Sequence, residues 1–177
     1  KVAPDWTMGI SNTLRYRNLS LSFLIDVRYG GVMYSGTVSD LRVNGMAEET
    51  IGKNRTDIVD KGVKQDGTEN TTAITPYQFW SNNYSSKVSE ANVFDATFVK
   101  LREMVLSYQM PQRWFKNCFI GSLALGVEGR NLWLMKSNVP HIDPETNIFG
   151  PSAVGSGVEY SAIPTTRSWG FNIKLTF

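Results

Sequence analysis

The stretch Ser168–Phe177, "SWGFNIKLTF", decides how this chain is read. Taken by twos, Trp169, Phe171, Ile173, Leu175 and Phe177 share one face, and Ser168, Gly170, Asn172, Lys174 and Thr176 share the other. A period of two is that of a β-strand, whose successive side chains point to opposite sides. Chain termini ordinarily fray into solvent, so a strongly apolar alternation that ends on an aromatic calls for something to cover it.

The same period recurs upstream. Over 6–16, "WTMGISNTLRY", the residues Trp6, Met8, Ile10, Leu14 and Tyr16 fall in phase, interrupted by Asn12. After Arg17-Asn18 the run over about 19–28 places Leu19, Leu21, Phe23, Ile25 and Val27 on one face, and so short a break joins the two strands in an antiparallel hairpin. Over 119–133, "FIGSLALGVEGRNLW", Phe119, Leu123, Leu125, Val127 and Trp133 oppose Ser122, Ala124, Gly126, Glu128 and Arg130. That polar side is rich in small residues, as a crowded interior wall would be. The run over 98–110, "FVKLREMVLSYQM", changes phase: Met104, Leu106, Tyr108 and Met110 agree with one another but not with Val99 and Leu101. A bulge near Arg102-Glu103 restores the phase, because one extra residue flips every later side chain. Without it, Lys100 and Arg102 lie on the apolar face.

Composition sets wide bounds. The chain has 177 residues, 41% hydrophobic and 19% charged, long enough for a sizeable core. A net charge of +2 with scattered bases argues against a nucleic-acid partner. The single cysteine, Cys118, excludes an internal disulfide framework and reads as a small buried or interfacial hydrophobe. No run approaches the roughly 18 apolar residues of a transmembrane helix. The opening "KVAPDWTMGI" carries neither an initiating Met nor a signal peptide, so further chain is expected upstream.

The connections alternate in length. Arg17-Asn18 and Pro111–Asn117 are short, whereas about 29–97 and about 134–167 are long, polar and rich in Gly, Ser, Asn and Thr. Strands of about ten residues with short turns at one end and long loops at the other mark an outer-membrane β-barrel. With the short turns periplasmic, Trp6, Phe98, Trp133 and Trp169 stand near the outer rim, and Tyr16, Tyr108, Phe119 and Phe177 near the inner one. These would be the two aromatic girdles, with Trp114 in a periplasmic turn. A soluble antiparallel sandwich also alternates and buries aromatics, and five strands cannot close a barrel without others. The fold class expected is all-β, antiparallel strands forming part of a large transmembrane barrel.

The order "WTMGISNTLRYRNLSLSFLIDVRYGG", "FVKLREMVLSYQMP", "GRNLW", "DPE" and the ending "GFNIKLTF" resembles the C-terminal part of SusC/RagA-type TonB-dependent outer-membrane transporters of Bacteroidetes. The resemblance implies a 22-stranded barrel with an N-terminal plug and a TonB box, neither present here, and a SusD-like surface lipoprotein as lid. It also implies TonB and the barrel assembly machinery as partners, the outer membrane as location, and no cofactor. This chain would then be the last part of the wall, with its final strand paired at the seam. Leu21, Phe23, Ile25, Leu123, Leu125, Phe171 and Ile173 would face lipid, and Arg15, Ser22, Glu128, Arg130, Asn172 and Lys174 the lumen. The terminal row Phe171, Ile173, Leu175 and Phe177 is what the assembly machinery would read, by adding a strand and seating alternate side chains in pockets.

No catalytic constellation is evident. His141 is the sole histidine and lies in the loop segment "VPHIDPE" without a nucleophile elbow or metal spacing. "GMAEETIGKN" fails as a phosphate loop because six residues separate Gly45 from Gly52 and Asn54 replaces the Ser or Thr. "DKGVKQDGTEN" does not match EF-hand positions, and turn chemistry accounts for Asp143-Pro144-Glu145. Four N-glycosylation patterns carry little weight in a bacterial chain. "TPYQFWSNNYSS", 75–86, gathers Tyr77, Phe79, Trp80 and Tyr84 among amides and hydroxyls, a composition suited to a sugar ring, a peptide or a lid protein, or to packing the loop on itself. Two functions are open: a barrel segment of an importer of glycan oligosaccharides or peptides, or a soluble secreted sandwich that binds glycan.

Overall fold

In a computed structural model the described residues are 1–51, 56–85, 88–116, 119–148 and 157–177. The strands are β1 (Trp6–Tyr16), β2 (Leu19–Tyr29), β3 (Val32–Ser35), β4 (Ile58–Val59), β5 (Ala73–Ile74), β6 (Val93–Asp95), β7 (Phe98–Gln109), β8 (Ser122–Ser137), β9 (Val158–Glu159) and β10 (Ser168–Thr176). The helices are α1 (Gly36–Val43) and the single turn α2 (Pro76–Gln78), which runs on as a π-helical turn, Phe79–Ser85. The chain divides into two compact units. One comprises Pro4–Gly30, Ala96–Asn138 and Thr165–Phe177; the other comprises Lys1–Ala3, Gly31–Asp95 and Val139–Pro164.

The first unit is a five-stranded antiparallel sheet in the order β1-β2-β7-β8-β10. Arg17, at φ 52, turns β1 into β2, so that Tyr16 pairs with Leu19. The expected bulge is present: along β2 the partners step from Leu24↔Glu103 to Ile25↔Leu101, leaving Arg102 as the extra residue of β7. Val99 and Leu101 thereby rejoin the row of Val27 and Ile25. β8 is irregular at the same level, stepping from Arg130 to Trp133 while β7 moves from Glu103 to Leu101, and Asn131 takes up the change at φ 51. β1 and β10 form the two edges.

Three expectations need correction. β8 spans Ser122–Ser137, not 119–133, because the bulges let the strand continue through "LMKS". Phe119 lies before the strand, its ring stacked on Phe177 at 5.8 Å and 3°. Phe98 is not an exposed rim aromatic but is 4% exposed, in the first pair of β7. Cys118 lies outside the described residues, as do Asn54 and Gly52 of the rejected phosphate loop.

The second unit shows that the long connections have a fold of their own. β3 pairs antiparallel with β6 and parallel with β9, so the two loops share one small sheet. Ser35 ends β3 and caps α1, its Oγ accepting from Val38 N at 3.0 Å, and β4 and β5 make a short hairpin. Thr75 and Gln78 form a reciprocal capping box with Pro76 in the first turn, which fixes the start of α2. Met33, Val38, Ala47 and Val139 are buried in this unit, and with them Ser35, Thr50, Asn92 and Glu159.

Candidate functional site

The five-stranded sheet has two chemically distinct faces. Register carries one row from Leu14 through Leu21, Leu106 and Val127 to Phe171, and the next from Tyr16 through Leu19, Tyr108 and Leu125 to Ile173. These rows are uncovered: Phe171 is 84% and Ile173 68% exposed. On the opposite face Arg15, Ser20, Ser107, Gly126 and Asn172 form one row, and Thr13, Ser22, Val105, Glu128 and Gly170 the next.

The aromatics of the apolar face follow two slanting lines. Trp6, stacked on Tyr29 at 5.2 Å, begins the first. Trp133 is level, through Leu101 and Ile25, with Ile10, and Trp169, through Gly129, Met104 and Phe23, with Asn12. The line therefore drops by six residues of β1 over four strand spacings, a slope of about 45° at ~3.3 Å per residue and ~4.8 Å between strands. The second line runs from Tyr16 and Tyr108, which are level, to Phe177, four residues beyond the level of Ile173, a slope of about 35° in the same sense. Strands of a closed barrel tilt by about 35–45°. Once the strands are tilted so, each line becomes a horizontal belt.

The polar face is concave at the turn end. A cavity of about 540 Å³ draws lining residues from all five strands, among them Arg15, Ser107, Gln109, Asn172 and Lys174. Close packing across this face relies on glycine: a Cβ on Gly126 would stand 2.3 Å from Asn172 Oδ1, so the Asn172 side chain lies over its neighbour's bare backbone. Toward the loop end the charges pair. Arg102 bridges Asp26 and donates to Asn131 Oδ1 at 3.2 Å, and Arg130 stands 3.7 Å from Glu103 and 4.0 Å from Glu128. Lys100, 3% exposed and opposite Asp26, donates to Thr165 Oγ1 at 2.8 Å.

In the second unit Phe79, Trp80 and Tyr84 come together, with ring centroids 4.7–5.6 Å apart. The Arg42 guanidinium lies 4.6 Å from the Trp80 centroid and 5.3 Å from that of Phe94. It also donates to Glu49 at 2.6 Å, to Ala91 O at 2.7 Å and to Asn92 Oδ1 at 2.9 Å. Tyr84 bonds Asp60, and burial together with that carboxylate raises its phenol above the ordinary range. Tyr77 stands apart from the cluster, 63% exposed. His141 Nε2 meets Glu49 Oε2 at 3.0 Å. Burial pushes the Glu49 carboxyl up, but the bonds from His141 and Arg42 outweigh it and hold it at about 2.

Sequence reasoning missed Arg42 and Glu159. Glu159, 1% exposed, accepts from Ser35 Oγ at 2.6 Å and Thr37 Oγ1 at 2.5 Å, across more than a hundred residues of chain. No local pattern could reveal it. No local pattern reveals Arg42 either; the Thr75-Pro76-Tyr77-Gln78 capping box announces only the helical turn that presents its partner Trp80. Among the described residues no group of three or more His, Cys, Asp or Glu is placed to hold a metal, and no helix is long and apolar enough to cross a membrane.

No family model matches the sequence. Over 98% of its length the chain is 25% identical to TonB-dependent receptor P3 of Formosa agariphila and 26% identical to TonB-dependent receptor P26 of the same organism. It spans only 16% and 17% of the length of those relatives. Solved structures of the RagAB peptide importer in the open-open and closed-closed states, and of the RagAB peptide transporter, match 99% of this chain. Their TM-scores are 0.63, 0.64 and 0.64 at 18%, 18% and 21% identity, with 17–18% of each solved chain covered. The expected resemblance to TonB-dependent receptors and the all-β, antiparallel architecture are both borne out.

Proposed function

We propose that the chain is a stretch of barrel wall from an outer-membrane TonB-dependent importer of the SusC/RagA type. The observation that carries this reading is the pair of slanting aromatic lines with exposed aliphatic rows between them, which makes a membrane band only when the strands tilt as barrel strands do. A soluble sandwich would cover that face with a second sheet, and here Phe171, Ile173 and Leu125 are open. Arg15, Glu128, Arg130, Asn172 and Lys174 then line the lumen, and Trp6, Tyr16, Tyr108, Trp133, Trp169 and the Phe119–Phe177 stack form the girdles.

The cargo class is glycan oligosaccharide or peptide, and the peptide importers among the structural neighbours favour peptide. The partners are the rest of the barrel and its plug, TonB, the assembly machinery, lipid and a SusD-like surface lipoprotein. Of the four aromatics of the 75–86 turn in the extracellular unit, Tyr77 is left open for cargo or lid, because Phe79, Trp80 and Tyr84 are occupied with one another and with Arg42. β1 and β10, the two edges of the sheet, pair with further strands of the barrel. Quenching of Trp133 and Trp169 fluorescence by lipids brominated near the headgroup, in the reconstituted full-length protein, tests the reading. Strong quenching is expected. A protein that is monodisperse without detergent and unquenched would overturn it.

A further inference from the structure

We propose that the turn end of the polar face is an anion site that takes a carboxylate; the proposal rests on reading that face as the lumen wall. Charge is segregated along the face. At the loop end carboxylates stand against bases, Asp26 against Arg102 and Glu103 and Glu128 against Arg130. At the turn end the concavity of about 540 Å³ is lined by Arg15, Arg17 and Lys174 and, among the described residues, by no carboxylate. The nearest acid by register is Glu128, one row away, and it is turned to Arg130. The three bases come from the first strand, its turn and the last strand, so they surround the hollow instead of clustering on one strand.

The floor supplies hydrogen bonding without charge. Ser20, Ser107, Gln109 and Asn172 line it, and Gly126 lets Asn172 lie flat across the sheet. Asn18 Nδ2 bonds the Gln109 carbonyl at 2.6 Å, which ties the Arg17 turn to β7. A carboxylate accepts several such donors at once, and Arg15 can offer paired N–H groups to its two oxygens, while the Arg17 guanidinium, 5.3 Å from the Tyr16 ring centroid, adds its charge at the rim. A concavity of one sign, walled by a low-dielectric sheet, concentrates anions. Such a carboxylate comes either with the cargo or from another segment of the same protein.

The test is the reactivity of Ser107→Cys in the full-length, otherwise cysteine-free protein in outer membranes, measured with anionic sulfonatoethyl and cationic trimethylammonium methanethiosulfonates. Relative to a free thiol, the anionic reagent is expected to react several-fold faster, and the preference to shrink in Arg15→Gln and, separately, in Lys174→Gln. Protection by an oligopeptide carrying two Glu, but not by its Gln counterpart, would assign the carboxylate to cargo. A thiol closed to both reagents that opens in Arg15→Gln or Lys174→Gln would assign it to a fixed segment of the protein. Equal rates for the two reagents, unchanged by either substitution, would overturn the site. Leu106→Cys is the control for the underlying reading. If it, and not Ser107→Cys, reacts with these water-soluble reagents, the face assignment fails and the anion site falls with it.

Discussion

In the five-stranded sheet Phe171 and Ile173 stand 84% and 68% exposed while Lys100 is buried; in the folded loop unit Val38 is fully buried and Met33 3% exposed. The loop unit obeys the ordinary rule of apolar inside, helped by a hydrogen-bonded centre of Ser35, Thr50, Asn92 and Glu159. The sheet inverts that rule, with aliphatic rows outward and hydroxyls, amides and ion pairs on the concave side. On the proposed reading as barrel wall, two solvents explain the two rules: the loops fold in water, where burial of apolar surface is the driving force, and the sheet meets a hydrocarbon surround in which only closed backbone hydrogen bonding is tolerated.

Several changes should act on one unit and spare the other. The largest effect is expected from Phe177→Ala in the full-length protein. Phe177 contributes one interfacial ring to the finished sheet, stacked on Phe119, so its loss should cut the amount of heat-modifiable barrel in outer-membrane fractions far more than it lowers the melting temperature of what assembles. Equal amounts of both proteins would leave Phe177 a girdle aromatic and nothing more. Val127→Arg comes next. Val127 lies between Trp133 and Phe119 along the chain and in the row of Leu106 and Phe171, near the middle of the band, and the charge should cost about 2 to 4 kcal/mol. Leu125→Arg, one row closer to the Tyr108 belt, should cost less; unfolding titrations in lipid vesicles give both values. Equal costs would break the slanted-belt geometry.

Glu159→Ala should loosen only the loop unit, by about 2 kcal/mol, because the Ser35 and Thr37 hydroxyls lose their buried acceptor. Hydrogen exchange should quicken at α1 and β9 and stay unchanged in β7 and β8. The smallest effect is acid loosening. The folded Glu49 carboxyl is held at about 2 against an ordinary 4.5, so its contribution is complete above pH 4.5 and is lost as pH falls from there through 2. With its side chain 34% exposed, screening leaves about 1 kcal/mol. Glu49→Gln should remove that part of the pH dependence, read as loop proteolysis against pH.

The strands were legible because their information is local: the two-residue period of Trp169 through Phe177 is written in ten residues, and the phase change at Arg102 showed where a bulge had to be. The far end of β8 was not legible, since an irregularity at Asn131 breaks the period that defines a strand. The loop unit was read as polar connection because its fold depends on distant partners. Nothing near Glu159 points to Ser35, and nothing near His141 points to Glu49. The aromatic turn was visible as composition, yet only Arg42, presented by another helix, decides that Trp80 is occupied and Tyr77 open.

Arg102, the extra residue of β7, bears on the whole circumference of the proposed barrel. In a closed sheet the stagger accumulated from strand to strand must sum to a fixed integer shear on returning to the start, and shear and strand number together set the radius. Each bulge adds to that count. In the proposed barrel the residue that corrects the phase of one strand would therefore also help to set the bore, and removing it would oblige the closure to find its missing step elsewhere around the ring.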